Sequence, residues 1–262
     1  MTTTLRVALG EYDTGWQQPQ ASLVRADACI HQAAAAGARL VVLPEMCTTG
    51  FTMAPEEWAE PTSGDSFDGL AELAHRHGVW LIAGIATRDD AVYRNMAAVL
   101  DPSGRLVASY AKQRVFTYAG EHEHYTQGSE HLTVDIDGVR VTPLICYDLR
   151  FPELFRDAAL DTELFVVIAN WPAVRRPHWD VLLPARAIEN QAYVVGVNRT
   201  GEGGGVSYDG GSAAYDPWGT PAAVHVAVAA PLVVDVSPAL VQSVRAQYPF
   251  LADQRAEHSP AR

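Results

Sequence analysis

Three places along this chain set a reactive side chain at the end of an apolar run. Leu40-Val41-Val42-Leu43 leads through Pro44 into Glu45. Proline has no N–H to give to a sheet ladder, so Glu45 is expected at the carboxyl edge of a strand, where α/β proteins hold their ligands. Tyr110-Ala111-Lys112 sets an ammonium after a second strand, and Leu144-Ile145-Cys146 sets a thiol after a third, with a helix expected a few residues later. A sharp strand-to-helix turn exposes sulfur beside backbone N–H groups, which lowers a thiol pKa and can bind an oxyanion. Each residue has a plainer reading alone: Glu45 as a cap or surface acid, Lys112 as an edge-strand guard, Cys146 as an inert buried thiol. Together they supply a nucleophile, a proton acceptor and a fixed cation, which are the parts needed to cleave an unactivated amide. A cysteine–histidine scheme finds no histidine in a comparable strand-end setting.

Lys112 stands out for a second reason. Of 19 basic residues, 18 are arginine, and this is the single lysine. Compositional bias accounts for the arginines but not for the exception. A compact ammonium on a flexible stem differs from a planar guanidinium wherever one oxygen must be met by one charge. Its uniqueness also makes it the only side-chain target for amine-selective reagents, provided that the pocket admits them.

The elements that must position these residues alternate along the chain. Strands are expected at Leu5–Gly10, Leu40–Leu43, Trp80–Ala86, Tyr93–Leu100, Leu106–Ala111, His131–Ile136, Val139–Cys146, Leu164–Ala169, Tyr193–Asn198, Ser212–Tyr215, Val224–Val228 and Leu232–Val236. Asp137-Gly138 is a hairpin signal. Helices are expected at Gln20–Ala36, Ser66–His77, Phe151–Leu160, Trp179–Asn190 and Pro238–Gln247, with Gly37 and Gly78 as stops. Thr200–Gly211, rich in glycine, reads as a mobile surface loop, since it lacks the strand and helix that frame a phosphate cradle. The last dozen residues read as loosely held. Apolar strands mixed with hairpins point to mixed sheets. Helices covering one face of each sheet favour two stacked sheets, with a doubly wound sheet as the alternative.

The totals exclude whole classes. A length of 262 residues with 48% hydrophobic and 19% charged residues suits a globular α/β chain, read as one domain over 1–262. A formal charge of −12 argues against nucleic acid or an anionic membrane as partner. No run approaches the roughly 20 apolar residues of a membrane span. Three scattered cysteines suit neither a disulfide framework nor a zinc knuckle, so a reducing, cytoplasmic setting is expected. Cys29 reads as a core thiol, and Cys47, two residues past Glu45, as a candidate neighbour of the same site.

LVVLPEMCTTGF around Glu45, YAKQRVF around Lys112 and LICYDLRFPELF around Cys146 resemble, in order, the three signature segments of the nitrilase superfamily of carbon–nitrogen hydrolases. The likeness runs from Leu5 to Val236, leaving 237–262 as a C-terminal helix and tail. It implies a four-layer α-β-β-α sandwich and a homodimer of stacked sandwiches. It also implies a Glu-Lys-Cys triad with Glu45 as base, Lys112 as oxyanion stabiliser and Cys146 as nucleophile, working with neither cofactor nor metal. A second glutamate is implied after the lysine. Glu121 and Glu123 both qualify, and spacing to Gly128 favours Glu121. The backbone N–H of Tyr147 would be the second oxyanion donor.

ANWPA at 169–173, His178-Trp179 and ARAIENQAYV at 185–194 look most like bacterial omega-amidases. These act on ω-amides of 2-oxo dicarboxylic acids, so the expected partner is a small amide that carries a carboxylate. Phe116, Trp171, Arg175 and His178 are the candidate substrate contacts. Arg150 and Arg176 are further cations, Arg150 being read as an internal partner of Glu153. Arg186 and Glu189 read as an intrahelical ion pair. Gln113-Arg114 departs from the usual histidine after the lysine. Rival readings are an N-carbamoyl amidase, a deaminated-glutathione amidase and a silent binding protein on the same fold. A metal hydrolase using His122 and His124 as strand ligands is a further rival, and a true nitrilase is disfavoured by chain length.

Overall fold

In the computed structural model, which describes residues 3–224 and 231–253, the strands form two six-stranded mixed sheets. The first half of the chain supplies β1 (Leu5–Leu9), α1 (Pro19–Ala35), β2 (Leu40–Val42), α2 (Pro55–Trp58), α3 (Asp65–His77), β3 (Trp80–Asp89), β4 (Val92–Leu100) and β5 (Leu106–Ala111). After the short α4 (Glu121–His124), the second half supplies β6 (Val134–Ile136), β7 (Val139–Ile145), α5 (Pro152–Ala158), β8 (Leu164–Ala169), α6 (Arg176–Asn190) and β9 (Tyr193–Asn198). The chain continues through β10 (Thr200–Gly203), β11 (Val206–Asp209), β12 (Ala213–Tyr215), β13 (Pro221–Val224), β14 (Leu232–Val236) and α7 (Pro238–Gln247).

The first sheet runs β14-β1-β2-β3-β4-β5 and the second β13-β12-β9-β8-β7-β6. Each has three parallel strands at its centre, β1-β2-β3 and β7-β8-β9, flanked by antiparallel neighbours. Successive side chains of a strand face opposite ways, and the core divides accordingly. Val7, Leu40 and Val42 join the cluster shared with Val141, Val166 and Val195 of the second sheet. Ala8 and Val41 instead pack with Ala26 and Ile30 of α1 and Phe67 and Leu70 of α3. On the far side, α6 sits so close to β9 that a Cβ at Gly196 would lie 2.5 Å from Leu183 and 2.7 Å from Trp179. Helices therefore cover the outer face of each sheet, giving the α-β-β-α order and excluding a single doubly wound sheet.

Local punctuation follows the sequence. Asp137 and Gly138 both take positive φ in the β6–β7 turn, and Gly78 ends α3 in the left-handed region. One segment differs. Thr200–Gly211 is largely a β10–β11 hairpin, with Thr200 paired to Asp209 and Gly203 to Val206. Its glycines serve the turn, where Gly204 and Gly205 have positive φ, rather than a loose loop. Residues 225–230 and 254–262, which include most of the Val224–Val228 strand and of the loosely held tail, lie outside the described residues. Among the described residues, no helix is long and apolar enough to cross a membrane.

Candidate active site

β2 ends at Val42, and the chain passes through Leu43 and Pro44 into a tight turn that begins at Glu45. This turn rests directly on β3. A Cβ at Gly84 would fall 2.5 Å from the Glu45 Cα and 2.6 Å from the Met46 nitrogen, so only glycine permits the approach. Lys112 follows the last residue of β5. Its backbone N–H donates to Asn95 of β4 at 2.9 Å, and its carbonyl accepts from Gly128 at 2.8 Å. Glu121 opens α4, directly after Gly120 at φ 77.

These elements bring Glu45, Lys112 and Glu121 together in the interior, each 1% exposed or less. The Lys112 Nζ donates to Glu45 Oε1 at 2.9 Å and to both oxygens of Glu121 at 3.0 and 2.9 Å. Burial alone would lower the Lys112 pKa, but the charges of Glu121 and Glu45 outweigh it and hold the ammonium firmly protonated. An amine reagent needs a free, accessible base, and Lys112 offers neither in the folded protein. That corrects the expectation that it could be labelled selectively. Glu123 stays outside the cluster, with its side chain 69% exposed.

Cys146 follows β7 at φ 47, heading a 3₁₀ turn over Cys146–Arg150 that leads into α5. A left-handed non-glycine residue at this point marks a strained strand-to-helix turn of the kind that presents a nucleophile. The thiol faces the pocket, and its Sγ lies 3.9 Å from the Asn170 carbonyl oxygen. The expectation of a lowered thiol pKa is overturned. Desolvation pushes it well above the ordinary value, and the negative charge of Glu45 adds to the rise while Lys112 opposes it. Burial thus favours the thiol form of the resting sulfur.

Residues that the sequence reading missed hold this cluster in place. Asn95 donates to both Glu45 and Glu121. The Asn170 backbone N–H donates to Glu45 Oε2 at 2.8 Å, and its side-chain amide donates to the Glu45 carbonyl at 2.6 Å. Asp148, buried two residues past Cys146, accepts from the Tyr110 hydroxyl (2.9 Å), the Arg114 N–H (2.8 Å) and the Ile145 N–H (3.0 Å). It ties the segment after Lys112 to the nucleophile turn, and burial raises its pKa to about 6. A lone asparagine within the apolar run of β4 was the readable signal for Asn95.

The pocket above Cys146 is walled by Phe51, Phe116, Tyr147, Trp171, Tyr208 and Arg175, with Arg150 beside them. Of the candidate substrate contacts, Phe116, Trp171 and Arg175 line this pocket, together with Phe51 and Tyr208, which the sequence reading did not name. The Tyr147 ring packs against Phe116 at 4.9 Å and Phe151 at 5.0 Å. His178 does not line the pocket; its Nδ1 accepts from Arg150 at 3.0 Å, with the guanidinium 4.8 Å from the Trp171 ring. Arg150 does not partner Glu153, which pairs with Arg114 instead. Cys47 is fully buried in the cluster beneath α1 and α3 and lines no part of the pocket. His122 and His124 lie on the helix α4, where residues two apart do not face each other. Among the described residues, no three His, Cys, Asp or Glu side chains converge as a metal site.

This fold and this cluster define a hydrolase of carbon–nitrogen bonds. Residues 6–246 match the family model for carbon-nitrogen hydrolase, and the chain belongs to that family. It is 38% identical over 255 residues to the omega-amidase YafV of Yersinia enterocolitica, covering 96% of this chain and 97% of that one. It is 34% identical over 212 residues to the 2-oxoglutaramate amidase of Bacillus subtilis, covering 80% and 82%. Among solved structures, XC1258 of Xanthomonas campestris, described as a CN-hydrolase superfamily protein with an arsenic adduct in the active site, superposes with a TM-score of 0.90 at 32% identity, over 97% of this chain and 98% of that one. The crystal structure of an amidase from Nesterenkonia sp. gives 0.82 at 27% identity, over 93% and 94%.

Proposed function

We propose that this chain is an omega-amidase, hydrolysing the terminal amide of a 2-oxo dicarboxylic acid such as 2-oxoglutaramate or 2-oxosuccinamate to the diacid and ammonia. The observation that carries the substrate class is a pair of arginines beside the nucleophile. Arg150 and Arg175 both line the pocket, and among the described residues neither guanidinium has an acidic partner. Burial and the charge of Arg175 hold Arg150 below its ordinary pKa. Arg176, by contrast, is occupied by Asp180 at 2.6 Å and Asp209 at 3.5 Å. In a chain of net charge −12, two unpaired cations in one apolar pocket suit a ligand that brings its own carboxylate. The names of the relatives agree with this reading.

In the reaction, the Cys146 sulfur attacks the amide carbon while Glu45 takes the thiol proton. Lys112 and the Tyr147 N–H hold the oxyanion, Glu121 fixes Lys112, and Glu45 passes the proton to the departing nitrogen. Ammonia leaves behind a thioester. Water, deprotonated by Glu45, then releases the acid and restores the thiol. Cytoplasmic action fits three free cysteines. A homodimer would cover the exposed apolar face of α6, where Val181 is 66% and Ile188 55% exposed.

The test compares 2-oxoglutaramate, 2-oxosuccinamate, glutamine, an N-carbamoyl amino acid and propionamide. The oxo-amides are expected to exceed propionamide in kcat/KM by at least about 100-fold, the worth of two charge-assisted contacts. Mass spectrometry should find the acyl adduct on Cys146. Equal rates on propionamide and the oxo-amides would remove the omega-amidase reading.

A further inference from the structure

Two acidic side chains, Glu45 and Glu121, share the Lys112 ammonium in the interior of this site. Glu45 Oε1 and Glu121 Oε1 both accept from Lys112, at 2.9 and 3.0 Å. The same two oxygens accept from a second donor, the Asn95 side-chain amide, at 2.6 and 2.9 Å. Lys112 and Asn95 thus close a ring, each bridging the two acids. The amide can sit only one way round, because the reverse would aim its oxygen at both carboxylates. The arrangement leaves the Asn95 Oδ1 buried without a partner.

Like charges held this close disfavour each other's ionised forms, and N–H donors favour them. The Asn170 and Phe116 backbone N–H groups each meet one of the two acids, whereas Asn95, like Lys112, meets both. Asn95 is also fixed in place by its backbone, whose carbonyl accepts from the Lys112 N–H. We propose that Asn95 is a positioning residue that clamps Glu45 and Glu121 together around Lys112, so that Glu45 is held where it can receive the Cys146 proton. This rests on the reading of Glu45 as the base. It adds a fourth side chain to the buried cluster, contributed by the middle of β4 rather than by a strand end.

Alkylation of Cys146 by 2-iodoethanol, which carries no amide, tests the idea without any amide substrate. Its rate is followed against pH in the wild type, Asn95→Ala and Asn95→Asp, alongside kcat/KM on 2-oxoglutaramate. In Asn95→Ala the acid limb of both profiles is expected to move to higher pH by about one unit, the usual size of a lost donor to a carboxylate. Asn95→Asp, nearly the same shape but a third acid, is expected to move it further. Near-UV circular dichroism and the urea midpoint report folding, and Asn95→Ala decides the matter if Asn95→Asp does not fold. An acid limb unchanged in folded Asn95→Ala overturns the proposal, whatever the loss of rate, since packing alone would then explain it. Absence of an acid limb in the wild type also overturns it. A shifted alkylation limb in a protein that hydrolyses no oxo-amide would uphold Asn95 and remove the omega-amidase reading.

Discussion

At the scale of single residues, the site keeps its charged groups dry, and for Cys146 and Asp148 desolvation is the main cause of a raised pKa. Asp148 is the clearest case outside the catalytic cluster. Its folded pKa of about 6 stands above the ordinary 3.8, with desolvation as the main cause and three donors opposing it. Below about pH 4 the group is neutral in both the folded and the unfolded chain. Between about pH 4 and 6 the unfolded chain has released a proton that the fold still holds, so stability falls as pH rises, and above about 6 the loss is complete. Asparagine at this position does not titrate. Asp148→Asn is therefore expected to be less stable than the wild type, with the gap narrowing from pH 4 to pH 7 by up to about 3 kcal/mol. Urea unfolding at four pH values measures it; a gap constant with pH would mean that the buried acid stays ionised throughout. Part of this scale was legible in the sequence and part was not. Glu45, Lys112 and Cys146 announce themselves at the ends of apolar runs. Asn95 and Asp148 act largely through partners 26 to 50 residues away in the chain, and although a lone asparagine in an apolar run flags Asn95, no local pattern names those partners.

Among the elements, precision comes from how closely the strand ends approach one another. The strands β1, β2 and β3 were readable as apolar runs, but their order and the seating of the Glu45 turn on β3 were not, the latter because it depends on Gly84 having no side chain. The Gly84 N–H donates to the Pro44 carbonyl at 3.1 Å, and the Cys47 N–H returns a bond to the Gly84 carbonyl at 2.8 Å. A methyl group there would meet backbone atoms of Pro44, Glu45 and Met46, which cannot turn aside as a flexible side chain can. Gly84→Ala is expected to cost about 1–3 kcal/mol of stability, the range for overpacking a tight contact. It is also expected to lower kcat by about 100-fold, since a catalytic group displaced by about 1 Å loses that much. Unfolding midpoints and steady-state kinetics on the same preparation separate the two effects; a wild-type kcat would show that the turn can shift without moving the carboxylate. The hairpin β10–β11 makes the related point for the pocket. Its glycines resemble those of a disordered loop, yet pairing across β10 and β11 turns the segment into a wall bearing Val206 and Tyr208. Only a partner strand distinguishes the two outcomes, and the partner lies within the same glycine-rich stretch.

For the whole molecule, α6 connects the site to the outside. Its inner face carries Arg186, which donates to the Leu149 carbonyl at 3.0 and 2.8 Å and so clamps the turn that bears Cys146. The same guanidinium holds Glu189 at 2.8 Å, so the ion pair readable from the sequence is one half of a bridge whose other half was not. The outer face of α6 carries Val181 and Ile188, seven residues apart and hence aligned. Trp218, Tyr248 and Phe250, also exposed, form an aromatic row with ring centroids 5.1 and 5.8 Å apart. The proposed homodimer would cover these side chains, a second copy presenting the same patch under two-fold symmetry. A partner packed there would brace the helix whose other side fixes the nucleophile turn, coupling assembly to activity. Val181→Glu/Ile188→Glu places like charges on the symmetric face while altering only exposed side chains. It is expected to sediment as a monomer where the wild type sediments as a dimer, and to lose activity by about 10-fold, equivalent to some 1.4 kcal/mol of positioning. A wild type that is monomeric at tens of micromolar would remove the dimer. A monomeric variant with full kcat would show instead that α6 holds the nucleophile turn without help from a partner.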